Sequence, residues 1–94
     1  MSEIRTGPIV TALLSKGFVQ DDSRDHKYFF FCFQDRKTDI FTRLSHGQRT
    51  ADDWQLGKMA RQTRLSKREF MALVECTLSG SDYADLMKEH GEIR

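Results

Sequence analysis

The stretch that most constrains this chain is Arg24-Asp25-His26-Lys27-Tyr28-Phe29-Phe30-Phe31-Cys32-Phe33. It is the most apolar run in a sequence otherwise dense in charge. Turn-prone residues bound it, Asp21-Asp22-Ser23 before and Gln34-Asp35-Arg36-Lys37 after. Its length and aromatic content suit a strand more than a helix. Alternation sets His26, Tyr28, Phe30 and Cys32 on one face and Lys27, Phe29, Phe31 and Phe33 on the other. Both faces are apolar beyond the first residues, which predicts a central strand covered on both sides. His26 stands at the wetter N-terminal end, flanked by Arg24 and Lys27. A titratable imidazole between two cations, at the mouth of a buried strand, is the first feature that suggests chemistry.

A chain of 94 residues fits one small domain, 1–94, with a core over about 8–76 and a helical extension over about 79–94. No apolar run approaches the roughly 20 residues of a membrane span, so no membrane partner is expected. Met1 to Arg5 lacks the apolar centre of a signal peptide. Cys32 and Cys76 fall inside apolar patterns, where cysteine behaves as a small hydrophobe. Two buried, reduced thiols and a cytoplasmic location are the expectation. The net charge of +1 does not reveal a polyanion partner. The distribution says more: Asp82, Asp85, Glu89 and Glu92 sit near the C-terminus, and the rest is basic. Most of those cations should be solvated surface. Their clustering, at Arg24 with Lys27 and again from Lys58 to Arg68, points toward a polyanion.

Read in order, Pro8 suits the first turn of a helix. Ile9, Val10, Leu13 and Leu14 supply its apolar stripe, and Gly17 fits the position that ends it. Phe18-Val19 opens a short strand, Asp21 to Asp25 make a loop, and the aromatic strand follows. Asp35-Arg36-Lys37 reads as a hairpin connection. Thr38 to Ser45 then alternates, with Ile40, Thr42 and Leu44 opposite Asp39, Phe41 and Arg43. Ser45 to Arg49 is a loop by composition. Thr50 with Asp53 resembles a capping box that opens a helix striped by Leu56, Met59, Ala60 and Thr63. Ser66 with Glu69 and Ser79 with Asp82 open two more, with Phe70, Leu73 and Val74 and then Tyr83, Leu86 and Met87 as apolar faces.

The predicted class is α+β, a small sandwich of helix, three antiparallel strands and closing helix, with extra C-terminal helices. The first helix and the one from Ala51 to about Thr63 should cover one sheet face. Phe29, Phe31, Phe33 and Phe41 then need cover of their own, from the last two helices or from a second subunit in a homodimer.

At His26 and His46 the residues begin to match a family. Leu13-Leu14-Ser15-Lys16-Gly17-Phe18, followed by His26, Tyr28 and Phe30, resembles the HicA toxins of HicA–HicB toxin–antitoxin pairs. Thr42 to His46, Leu56 to Gln62, Leu65-Ser66 and Glu69-Phe70 extend the likeness, from about Ile9 to Val74. The resemblance implies a double-stranded-RNA-binding-domain-like fold, helix–three strands–helix. It also implies a metal-independent endoribonuclease with no cofactor, acting on RNA and silenced by a HicB-like antitoxin. His26 stands at the family's strand histidine and His46 at its strand-end histidine. The chain departs from the pattern at Arg24-Asp25, where the family has Gly-Ser or Gly-Gly, and it continues past the family's usual end.

The chemistry fits those residues. RNA carries its own nucleophile, the 2′-OH, and its cleavage needs a base, an acid and cations for the phosphate. Imidazoles ordinarily titrate near pH 6.5, which suits proton transfer near neutrality. His26 is the catalytic candidate. Arg24, Lys27, His46, Lys58 and Arg61 are the RNA-binding candidates, Lys58 and Arg61 being three apart on one helix. Asp25 could orient the imidazole. The histidines and cysteines show no metal-ligand spacing, so no metal is expected. Bland readings stand beside these: His26 as a strand-end cap, His46 as a turn residue, Trp54 as packing at a helix start, His90 as solvent-exposed, Phe29 to Phe33 as core. Two other functions stay open, a non-catalytic RNA-binding module and a protein-interaction module whose aromatic face docks a partner.

Overall fold

The computed structural model describes residues 3–23, 25–75 and 77–93. The expectations attached to Arg24 and Cys76 lie outside the described residues. The elements are β1 (Glu3–Arg5), α1 (Thr6–Ser15), β2 (Phe18–Asp21), β3 (Lys27–Phe33), β4 (Arg36–Leu44), β5 (Thr50–Asp52), α2 (Asp53–Gln62), α3 (Lys67–Val74) and α4 (Gly80–Glu89). Strands β2, β3 and β4 form an antiparallel meander with the aromatic strand at its centre, and β1 pairs with β5 in a separate ribbon. The architecture is a small α+β fold, as the alternation and the helical stripes predict. No helix among the described residues is long and apolar enough to cross a membrane.

Local chemistry explains most boundaries. In α1, Ile9 and Leu13 are fully buried, but Leu14 is 46% exposed and Ala12 takes the inner position. The helix ends at Lys16, and Gly17 follows with φ of +101°, a conformation that L side chains rarely adopt. The Gly17 carbonyl accepts from the Cys32 amide at 3.0 Å, so this turn is tied to the central strand. A Cβ at Gly17 would also lie 3.1 Å from the Phe31 ring. Gly17→Ala is therefore expected to cost about 1–2 kcal/mol in urea unfolding. A neutral or stabilising result would show that the turn relaxes freely.

Ser66 forms the expected capping box with Glu69, and Ser79 accepts from the Asp82 amide at the start of α4. The Thr50 reading fails. Thr50 lies in β5, with Ile4 opposite Ala51, and the cap of α2 is Asp52, which accepts from the Gln55 amide. Ladder bonds to a distant strand outweigh the local capping pattern here.

The hairpin also differs from expectation. Gln34 and Asp35 both take positive φ, 53° and 62°, and make a two-residue turn of the type that suits the right-handed strand twist. β4 accordingly starts at Arg36, two residues early, and a bulge between Phe30 and Cys32 adjusts the register. Phe30 then faces Phe41. Phe41 lies with Tyr28 and Phe30, not with Phe29, Phe31 and Phe33.

That register decides the layering. Phe29, Phe31, Ile40 and Leu44 join Ile9, Leu13, Leu56, Met59, Phe70, Leu73, Tyr83 and Met87 in one core. All four helices contribute to it, so they cover the same sheet face. The expected two-sided cover is not observed among the described residues. On the opposite face Tyr28, Phe30 and Phe41 make a ring cluster with centroids 5.6 to 5.9 Å apart. The Lys37 ammonium lies 3.9 Å from the Phe30 ring centroid. Val19 and Phe41 on that side are 55% and 37% exposed. Cys32, expected to be buried, is half-buried.

Candidate functional site

His26 immediately precedes β3, one residue beyond the Lys27–Leu44 pair. The sheet ends there, and α2 crosses beside it. Between them lies a cleft of roughly 90 Å³, lined by His26, Arg43, Leu44 and Ser45 from the sheet end and by Trp54, Gln55, Lys58, Met59 and Gln62 from α2. The helix positions follow from one-turn spacing: Trp54 and Lys58 are four apart, as are Gln55 and Met59. The Thr42 hydroxyl donates to Gln62 Oε1 at 2.6 Å and holds α2 against β4. Lys67 pairs with Asp53 at the start of α2.

Around the imidazole, three contacts set the geometry. The His26 and Tyr28 rings meet edge to face at 6.4 Å. Arg43 Nη1 donates to the Tyr28 hydroxyl at 3.4 Å, a weak bond that draws the guanidinium toward the same edge. His26 Nδ1 lies 3.3 Å from Asp25 Oδ2. That nitrogen is shielded from water yet makes no aligned hydrogen bond. The contact is therefore electrostatic in this geometry, and the nearest acceptor for a proton on Nδ1 is the Asp25 carboxylate. A third of the His26 side chain remains exposed, so the accessible part of the ring lies away from Nδ1.

The imidazole holds the Asp25 carboxyl below its ordinary value of 3.8, against a smaller opposing effect of desolvation. The pairing favours the ionised carboxylate. It is complete above that ordinary value and is lost as pH falls through the lowered one. Asp25 is largely exposed, so solvent screens the contact. A carboxyl-carbon NMR titration should place the Asp25 midpoint below 3.8, and His26→Ala should return it toward 3.8. An unmoved midpoint in the variant would assign the shift to another cause.

Of the predicted binding residues, Lys58 shares the cleft with His26. Lys27 is half-buried, Arg61 is exposed in the last turn of α2, and His46 is exposed in the loop after β4; none of the three lines the cleft. Arg24 is outside the described residues. Sequence reasoning missed Arg43, Gln55, Gln62 and Trp54. Trp54 is no packing residue: it is 69% exposed, with the Lys58 ammonium 5.3 Å from its ring centroid. The one-turn spacing of Trp54 and Lys58 was the available signal. Among the described residues no three His, Cys, Asp or Glu side chains gather as a metal site.

Comparison with protein-family models, with curated proteins and with solved structures finds no match. What the site can do therefore follows from the residues of the cleft itself.

Proposed function

We propose that this chain is a HicA-like, metal-independent endoribonuclease, the toxin of a toxin–antitoxin pair. It would act on cytoplasmic RNA from a double-stranded-RNA-binding-domain-like scaffold and be held silent by a HicB-like antitoxin. The observation that carries the reading is one cleft containing an imidazole and two cations, His26 with Arg43 and Lys58. The order α1-β2-β3-β4-β5-α2 is consistent, apart from the short β5 that pairs with β1, with the helix–three strands–helix layout that the resemblance implies.

The chemistry runs as follows. Arg43 and Lys58 hold the phosphate and offset the charge that builds on its oxygens. Imidazole nitrogen of His26 takes the proton from the 2′-OH, and the oxygen attacks phosphorus. The bond to the 5′-oxygen breaks, and that oxygen takes a proton from water or from the imidazolium. The products are a 2′,3′-cyclic phosphate and a 5′-OH end. Asp25 stabilises the imidazolium between the two transfers.

The test is gel cleavage of a single-stranded RNA by the purified protein in excess chelator. Cleavage with cyclic-phosphate ends is the expected result, and a DNA strand of the same sequence should survive. Activity lost on chelation would remove the metal-free scheme. No cleavage, with binding intact, would favour the non-catalytic RNA-binding module, and Arg24-Asp25 in place of the family's small residues would be the place to look. The exposed Phe41 and Val19 keep a protein-docking role for the outer sheet face as the second reading.

A further inference from the structure

We infer that Trp54 is a base-stacking platform, and that the ligand of the His26 cleft is an unpaired nucleotide rather than a duplex. This rests on reading the cleft as an RNA site and adds the strandedness of the substrate.

Three observations lead there. The largest apolar side chain in the protein stands 69% exposed, outside the core to which its own helix gives Leu56, Met59 and Ala60. Its ring forms part of the wall of the same cleft as His26, Arg43 and Lys58. The Lys58 ammonium lies 5.3 Å from the centroid of that ring, so a phosphate-binding cation and the indole adjoin on one wall.

A nucleotide whose phosphate lies between Arg43 and Lys58 brings its base to the rim beside the exposed indole. Trp54 is the planar surface present there. Lys58 sits over one face of the indole, and the exposure of the ring leaves room for a second planar group. Base–aromatic stacking tolerates any base, because each has a π-face. It does require a base that is splayed out of a helix, since duplex bases are already stacked on one another. The cations supply charge complementarity to the phosphate, so the two halves of one nucleotide meet two different parts of the rim.

The protein contains a single tryptophan, which makes its emission a direct report on this ring. The probe is a single-stranded oligoribonucleotide with 2′-O-methyl groups throughout, which cannot be cut, carrying a terminal dye. Titration should quench tryptophan emission saturably, with the midpoint seen in dye anisotropy. The same sequence as a duplex should leave the emission unchanged. Trp54→Ala should weaken single-strand binding roughly 5- to 150-fold, and Trp54→Phe should largely retain it. Circular dichroism checks that both variants fold.

Binding with no change in emission and no loss in Trp54→Ala would overturn the inference. So would equal quenching by the duplex, or absence of binding. Emission that shifts with protein concentration alone would assign the ring to a protein contact and would also overturn it. Quenching without cleavage of an ordinary RNA would sink the ribonuclease reading and leave this one standing.

Discussion

Replacing His26 with alanine is expected to lower RNA cleavage by roughly 10²- to 10⁴-fold, the contribution of one well-placed general base. Binding of an uncleavable RNA should stay within about twofold, because Arg43 and Lys58 remain to hold the phosphate. The fold should survive. His26 precedes β3, is one-third exposed, and contributes an edge contact to Tyr28 and a solvent-screened contact to Asp25, so its loss should cost no more than about 1 kcal/mol. Single-turnover cleavage, anisotropy and circular dichroism measure the three quantities. Full activity in the variant would remove His26 from the mechanism. Equal loss of binding and cleavage would make it a ligand contact instead.

Replacing Tyr83 should have the largest effect on stability. This side chain of α4 is fully buried, with its ring 5.6 Å from Phe18 and 4.9 Å from Phe31. Its hydroxyl donates to the Thr63 carbonyl at 2.7 Å, at the end of α2. Tyr83→Ala removes both the ring and that bond, and is expected to cost about 3–5 kcal/mol. Tyr83→Phe leaves the ring and strands one carbonyl, at about 1–3 kcal/mol. Urea unfolding of the two variants separates packing from hydrogen bonding, and equal losses would contradict the division. Burial also pushes the phenol well above its ordinary value. The stability linked to that shift is complete below the ordinary value of 10.0 and is lost as pH rises through it toward the raised one. Tyr83→Phe should flatten that alkaline decline.

What could be read from the sequence was what short-range chemistry decides. The side-chain alternation of β3 and of β4, the stop at Gly17 and the caps at Ser66 and Ser79 all depend on residues within a few positions. Thr50 has the same local pattern as a cap, but β1 lies 45 or more residues earlier in the chain, and no local signal reports its pairing with β5. The misplacement of Phe41 has a definite cause. A three-residue connection at Asp35-Arg36-Lys37 would set Phe41 opposite Phe31, whereas the two-residue turn and the bulge set it opposite Phe30. An odd change in register moves every side chain of a strand to the other face. The error carried into the layering, and so into the expectation that two helices were needed on the far side. At the cleft, His26 and Lys58 were legible as residue types. That they meet was not, and Arg43 and Trp54 gain their meaning only from that meeting.

The junction between sheet end and α2 has a kinetic consequence. His26 belongs to the first part of the chain and Lys58 to a helix that follows every strand, so the cleft is a long-range contact with loop-closure entropy against it. A folding chain that has built only the β2–β4 hairpins possesses the imidazole and Arg43 without the Lys58 ammonium opposite them. Transient detachment of α2, resisted by the Thr42–Gln62 hydrogen bond, would erase the cleft while the sheet persists. Hydrogen exchange of the α2 amides would then track the lifetime of the assembled site more closely than global unfolding does.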